Sequence, residues 1–311
     1  MDYPKYFDPK KSQNLYGLEK SFFFLSSLFS TKKLPKVLML SGVRGSGKST
    51  LINHFLFSVF DEKNYNKKEF NLINTSSFHN QFQNDIFQNI IYLKGLDHKS
   101  VKVDDIRYLK SQILQSSINN KERFIILDDI ELFNTQSLNA LLKIIEEPSK
   151  KNYFILINNQ TKPLVDTIRS RSLELKVIFS EQQRLEVINK LMISHSIEAI
   201  LQPEESKLSP GMFIKFNYIF KEYDISLRND LLINLSLLLS LYKKTKNTLF
   251  IDIAFYLTDF YFKDLKNENR FKSDNIYEIK TFVLKNLNKY LTFNLSQNSL
   301  LNAISNKLKH G

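Results

Sequence analysis

Short apolar runs alternate with amphipathic stretches over residues 1–178. Residues 37–41 (Val-Leu-Met-Leu-Ser) form an apolar run that ends in a glycine loop, the pattern of a buried strand. Thr50–Phe60 follows with helical spacing. Ile90–Leu93, Phe124–Leu127, Tyr153–Ile157 and Leu173–Ile178 read as four further strands. Between them, Val103–Leu114 places Ile106, Leu109 and Ile113 at helical intervals, with Asp104 and Asp105 in the first turn, where carboxylates favour the helix dipole. Gln136–Glu147 reads as a helix stopped by Pro148, and Lys162–Arg169 as a short helical turn around Pro163. Strands alternating with helices predict a parallel sheet covered on both faces. Residues 61–87 are polar, rich in Asn and Lys and without a clear period, and read as a surface insertion with little regular structure.

The character changes after Phe179. Glu181–Ile193 is amphipathic and helical, and Ser209-Pro210-Gly211 breaks the next pattern. From Leu227 onward the segments Leu231–Leu241, Phe250–Leu265, Asn275–Leu291 and Ser296–Leu308 all carry helical spacing. The predicted organisation is an α/β domain over 1–178, a small helical lid over 179–225 and a helical C-terminal domain over 226–311.

Composition narrows the class. The 311 residues are 42% hydrophobic and 24% charged, ordinary for a soluble globular protein with a core of its own. Cysteine is absent, which excludes disulfides and thiolate metal sites. Residues 1–20 are mixed and charged, and the apolar run Phe22–Leu25 is too short for a signal core. The longest apolar stretch, near Leu231–Tyr242, is broken by Asn234, Ser236 and Ser240 and falls short of the roughly 20 residues of a membrane span. A soluble, cytoplasmic protein is expected. The net charge of +12 admits nucleic acid or an acidic partner, but lysines such as Lys10, Lys11, Lys32, Lys33, Lys67 and Lys68 form no single stripe.

One motif carries chemistry by itself. Gly42-Val43-Arg44-Gly45-Ser46-Gly47-Lys48-Ser49 fits G-x-x-x-x-G-K-[ST] between a predicted strand and a predicted helix, the context a phosphate loop requires. Glycines let the backbone curl its N–H groups toward phosphate oxygens, and the helix N-terminus adds positive potential. Three of the chain's 7 glycines (Gly42, Gly45, Gly47) lie in this loop, which argues against a chance turn. Lys48 is expected to reach the β and γ phosphates of ATP, and Ser49 to coordinate Mg²⁺. Ser46 and Thr50 complete the expected nucleotide contacts. The run Phe-Ile-Ile-Leu-Asp128-Asp129 looks like the acidic end of a second strand of the same site. Asp128 is expected in the Mg²⁺ shell, and Asp129 is placed to polarise an attacking water.

The stretch after that strand is more specific. Leu138-Asn139-Ala140-Leu141-Leu142-Lys143-Ile144-Ile145-Glu146-Glu147-Pro148 resembles the "NALLKxLEEP" helix of clamp-loader AAA+ subunits of bacterial DNA polymerase III. Thr167-Ile168-Arg169-Ser170-Arg171-Ser172 is similar to the family's "TIxSRC" box, with Ser172 in place of Cys. Val103-Asp104-Asp105-Ile106-Arg107 resembles "xDxIR", Leu34-Pro35-Lys36-Val37-Leu38 resembles "LPHAxL", and Phe293-Asn294-Leu295 resembles an "NL" helix of the collar domain. The likeness is strong over most of residues 15–178 and thin beyond.

The resemblance implies a P-loop AAA+ module with a five-stranded parallel sheet, a helical lid and a helical collar. It implies a hetero-pentameric ring with gamma/tau and delta subunits that places a sliding clamp on primed DNA. Arg171 then acts as an arginine finger in a neighbour's nucleotide site, and Asn158 or Asn159 as the γ-phosphate sensor. Two departures are closer to delta-prime than to the motor subunits. Asp129 stands where those carry Glu, one methylene longer, so hydrolysis is expected to be slow or absent. Met212 stands where they carry a sensor arginine. The chain length also resembles delta-prime, since tau has a long extra tail. These families commonly carry a four-cysteine zinc module after the P-loop helix; residues 61–87 contain no cysteine, so no zinc is expected.

The remaining candidates are weaker. His54, His79, His98, His195 and His310 show no metal spacing. Tyr256 to Phe262 could mimic a base-stacking platform, but helical spacing favours packing. Two alternatives remain beside delta-prime: an active motor-type ATPase of the same family, favoured by the complete P-loop, and a basic DNA-binding protein with a vestigial nucleotide fold.

Overall fold

Residues 3–73, 75–95, 101–114, 121–267, 273–293 and 295–310 are described in the computed structural model. His98 and Asn294, each noted in the sequence, lie outside the described residues.

Five apolar runs pair into one parallel sheet: β1 (Val37–Ser41), β4 (Ile90–Lys94), β5 (Arg123–Asp128), β6 (Asn152–Asn158) and β7 (Leu173–Lys176), in the order β4-β5-β6-β1-β7. Every pairing is parallel, and the register aligns Ser41 with Asn158 and Lys94 with Asp128. Side chains alternate across the pleat, so each strand serves two cores. Leu38, Leu40, Phe124, Ile126, Ile155 and Ile157 face α1 (Glu19–Ser30) and α2 (Lys48–Phe60). Val37, Met39, Ile125, Leu127, Phe154 and Leu156 face α4 (Val103–Leu114) and α5 (Thr135–Ile145). Burial on both faces is why the strands read as unbroken apolar runs. Asn134 caps α5, its side chain accepting from Ser137 N at 2.8 Å.

Two sequence expectations need correction. Residues 61–87 are not loosely structured. They form a small ribbon, β2 (Tyr65–Asn66) with β3 (Asn71–Leu72), and the helix α3 (Ser77–Gln83). Tyr65, Leu72, Phe78 and Phe82 are buried in the same core as α2, with the Phe78 ring 5.1 Å from that of Phe57. The apolar residues are few but aromatic, so the surrounding Asn and Lys hid them. Helix α1 was also missed: the run Phe22–Leu25 has no period, yet Phe22 and Leu25 are fully buried while Phe23 and Phe24 are exposed.

The short α6 (Asp166–Arg169) precedes β7, and after β7 come α7 (Glu181–Ser194), α8 (Pro203–Ser206) and α9 (Pro210–Glu222). Ser180 and Gln183 form a reciprocal capping box at the start of α7. The buried Arg184 ties α7 to α8, donating to Pro203 O at 2.7 Å and Leu208 O at 2.9 Å. The chain divides into two units, Met1–Lys215 and Phe216–Gly311, with the boundary inside α9. In the second unit α10 (Leu231–Thr245), α11 (Leu249–Asn267), α12 (Ser273–Phe293) and α13 (Gln297–His310) pack on one another and contribute the buried Leu235, Leu239, Phe250, Ile253, Val283 and Ile304. Among the described residues no helix is long and apolar enough to cross a membrane.

Candidate functional site

In an open parallel sheet ligands bind beyond the carboxyl ends of the strands, where helices begin. Here β1 ends at Ser41 and the chain turns through Gly42–Gly47 into α2. Gly42 is a packing requirement, since a Cβ there would lie 2.4 Å from Val177 O. Gly45 has φ +81° and Gly47, the residue before α2, φ +84°, a left-handed conformation that glycine adopts without steric cost. A cavity of about 230 Å³ opens over this loop. Arg44 through Thr50, Lys94, Asp128, Asp129 and Asn159 are among its lining residues.

The polar groups are closely interlocked. Lys48 Nζ donates to Gly42 O at 2.7 Å, to Val43 O at 2.9 Å and to Ser46 Oγ at 3.3 Å. Burial pushes the Lys48 ammonium down to about 8, against the pull of Asp128, Glu131 and Asp129. Ser49 Oγ donates to Asp128 Oδ2 at 2.9 Å, the pairing a hard cation would bridge. Asp128 is raised by burial, opposed by the Ser49 hydrogen bond and by Lys94. Asp129 is only 2% exposed, and burial followed by the Asp128 charge pushes its carboxyl up to about 6. Asn159 Nδ2 donates to Asp129 Oδ1 at 2.8 Å, and Arg44 Nη2 stands 3.7 Å from the same oxygen. Asp129 Oδ2 is buried without a hydrogen-bond partner. The Asp129 backbone is left-handed, at φ 54°.

The two asparagines at the end of β6 separate cleanly. Asn159 lines the cavity and touches both aspartates, its contact to Asp128 Oδ1 being 3.5 Å. The Asn158 side chain instead accepts from Gln160 N at 2.9 Å, holding the turn, while its carbonyl accepts from Gly42 N. Of the two asparagines left open by the sequence, Asn159 is the one whose side chain reaches the cavity. Glu131 braces the same turn, accepting from Thr161 Oγ1 at 2.8 Å and from Asn159 N at 3.2 Å.

The cavity is also lined by the apolar and aromatic side chains of Tyr6, Phe7, Tyr16, Phe179, Val187 and Leu191. Tyr6 stacks on His195 with ring centroids 4.7 Å apart, joining the N-terminal segment to the end of α7. The start of α9 closes on the loop: Gly211 N donates to Gly45 O at 2.9 Å, and Ser209 Oγ donates to Arg44 O. A Cβ on Gly45 would lie 2.5 Å from Ser209 Oγ and 2.7 Å from Met212 N. Met212 itself does not line the cavity, whereas Lys215 does. Sequence reasoning missed Arg44, Lys94 and Lys215. Arg44 occupies a free position of the motif, and the two lysines are remote from it in sequence.

A left-handed glycine loop, a lysine, a serine–aspartate pair and a neighbouring lining of apolar and aromatic side chains fit a nucleoside triphosphate with a divalent cation. The donor set is all oxygen, which suits Mg²⁺.

Arg171 lies elsewhere. It does not line this cavity, and its side chain is 38% exposed. Arg171 Nε donates to Glu146 Oε1 at 2.8 Å, and Nη1 to Thr167 O at 3.0 Å. Glu146 is the residue that follows α5, so the arginine rests on the end of the helix that carries the longest family-like stretch.

The family model described as "DNA polymerase III, delta subunit" matches residues 17–179. The DNA polymerase III subunit gamma of Buchnera aphidicola from Acyrthosiphon pisum is 24% identical over 191 residues, which is 61% of this chain and 52% of that protein. The chain thus spans about half the length of that relative. The DNA polymerase III subunit delta' of Pseudomonas aeruginosa is 34% identical over 76 residues, 24% of this chain and 23% of that one. Among solved structures, a DNA polymerase III gamma subunit-related protein of Thermotoga maritima aligns with a TM-score of 0.46 at 14% identity, covering 91% of this chain and 96% of that one.

Proposed function

Because the chain belongs to the DNA polymerase III clamp-loader AAA+ subunit family, we propose that it serves as the delta-prime subunit, binding ATP with little or no hydrolysis of its own and lending Arg171 to a neighbouring ATPase subunit. The supporting observation is the contrast in placement: Arg171 is exposed and outside the chain's own cavity, held by one carboxylate and one carbonyl. Such a side chain can leave its resting contacts at small cost, because exposed ion pairs contribute about 0–1 kcal/mol.

In this reading Gly45, Ser46, Gly47 and Thr50 cradle the phosphates, Lys48 neutralises them, and Ser49 with Asp128 holds Mg²⁺, which supplies charge neutralisation when bound. Asp129 polarises water less well than a glutamate, being one methylene shorter, and Asn159 senses the terminal phosphate. The partners are gamma/tau and delta subunits in a hetero-pentameric ring in the cytoplasm, with the sliding clamp and primed DNA met through the complex.

The test is steady-state ATP hydrolysis by a defined mixture of this chain with its cognate gamma/tau and delta subunits. Arg171→Ala is expected to lower the rate by about 10³-fold or more while the ring still assembles. An unchanged rate in an assembled ring removes the finger role. A second reading, a motor-type ATPase, draws on the complete P-loop and the 2.9 Å Ser49–Asp128 hydrogen bond. It requires turnover by the chain that Asp129→Asn abolishes, and no turnover in the wild type ends it.

A further inference from the structure

We propose that Glu131 is a positioning residue of the nucleotide site: buried outside the cavity, it holds the turn after β6 so that the Asn159 side chain reaches the aspartates, and the preference for a triphosphate depends on it. The inference rests on the nucleotide-binding reading above, in which Asn159 senses the terminal phosphate, and it gives that sensor a support that no phosphate-loop motif contains.

Three observations carry it. The first is connection. Glu131 lies in the single turn Ile130–Leu132, two residues after Asp129 at the exit of β5. Its carboxylate crosses to the exit of β6, the neighbouring strand. There Oε1 accepts from Thr161 Oγ1 at 2.8 Å and from Thr161 N at 3.4 Å, and Oε2 accepts from Asn159 N at 3.2 Å. Asn159 Nδ2 returns to the exit of β5, donating to Asp129 Oδ1 at 2.8 Å. Glu131 thus grips the Asn159 backbone while Asp129 takes its side chain.

The second is strain. Gln160, between the two residues that Glu131 holds, has φ +57°. A residue with a Cβ enters this left-handed region against a steric penalty, and the conformation persists where surrounding contacts over-determine it. The contacts here are Glu131 on either side and Asn158 Oδ1, which accepts from Gln160 N at 2.9 Å. Without Glu131 the amides of Asn159 and Thr161 lose their acceptors, and the turn relaxes and carries Asn159 with it.

The third is placement. Glu131 is 6% exposed and does not line the cavity, whereas Asp128, Asp129 and Asn159 do. It therefore acts on a bound nucleotide through another group. Its charge also reaches Lys48 and Asp129. Replacing the carboxylate by a carboxamide separates the two effects, because the charge goes and an acceptor stays.

Isothermal titration of the full chain with MgATP and with MgADP tests this. The variants are Glu131→Ala, Glu131→Gln, Asn159→Ala and the double variant Glu131→Ala with Asn159→Ala, with thermal melts to check folding. A hydrogen bond to a charged phosphate corresponds to about 10- to 100-fold in affinity. Asn159→Ala is expected to lose that much for ATP and far less for ADP, and Glu131→Ala to reproduce most of the loss. The double variant should bind no more weakly than Asn159→Ala alone, since one residue acts through the other. Glu131→Gln keeps an acceptor for Thr161 and should recover part of the ATP preference. If Glu131→Ala does not fold, Glu131→Gln alone and combined with Asn159→Ala carries the same comparison. An unchanged ATP preference, an equal loss for both nucleotides, or full addition of the two losses overturns the role of Glu131 and leaves the nucleotide site standing. A Glu131→Gln loss as large as that of Glu131→Ala traces the effect to charge and overturns it too. No effect of Asn159→Ala removes the sensor and its support together. Absence of binding by the wild type to either nucleotide overturns the nucleotide reading as well.

Discussion

The carboxyl edge of the sheet and the turn that carries Arg171 handle charge in opposite ways. At the sheet edge Lys48, Asp128 and Asp129 are buried and each is tied to another group: Lys48 to the loop carbonyls, Asp128 to Ser49, Asp129 to Asn159. At the turn, Arg171 and Glu146 are 38% and 46% exposed and hold chiefly each other. A buried, interlocked site is costly to disturb and is shaped to receive a ligand. An exposed, lightly held arginine costs little to move and is available to another surface.

The sharpest way to break this contrast is to remove Arg171 and read both regions. Arg171→Ala is expected to reduce turnover by the assembled ring about 10³-fold or more. Nucleotide affinity of the isolated chain should stay unchanged, and its stability should shift by less than about 1 kcal/mol in chemical denaturation. A large loss of stability would show that the turn is structural after all. Lys48→Ala probes the other side. Nucleotide affinity measured by titration should fall by about 10- to 100-fold, the scale of a charge-assisted hydrogen bond to phosphate.

Gly42→Ala is expected to destabilise the chain by about 1–3 kcal/mol, because its Cβ would meet Val177 O at 2.4 Å and β1 or β7 must shift. An unchanged melting temperature would show that this edge yields more easily than its packing implies.

The smallest effect is in pH. Asp129 has a folded pKa of about 6 against an unfolded value near 4. The folded state therefore holds the proton more tightly, and stability from this group is complete below about pH 4 and lost as pH rises through about 6. Asp129→Asn removes that loss. The variant should match wild type near pH 4 and exceed it by about 1–3 kcal/mol at pH 7, read from denaturation curves at both values. Parallel curves at the two pH values would mean that Arg44 and Asn159 balance the buried charge fully.

The sequence made the sheet legible because strands buried on both faces appear as plain apolar runs, and each of the five was found within a residue or two of its ends. It concealed α1 and residues 61–87 because a few aromatic rings anchor those segments: Phe22, Tyr65, Phe78 and Phe82 bury large areas without producing a period. The phosphate loop and Asp128 were legible from spacing alone. Arg44, Lys94 and Lys215 were not, being ordinary members of a set of 44 basic residues until the fold brought them to one cavity. Asn159 differs from Asn158 only by one step along the chain, and which of them turns toward the aspartates is decided by the bend after β6.

The left-handed backbone at Asp129 bears on any attempt to convert this chain into a faster hydrolase. Asp and Asn are among the few residues other than glycine that visit this conformation readily, since their short polar side chains bond locally. A glutamate lacks that accommodation, so Asp129→Glu would lengthen the carboxylate and load the main chain together, by about 1 kcal/mol or more. The backbone at this point thus sets a threshold: a longer carboxylate here has to be carried by a turn that favours the shorter one.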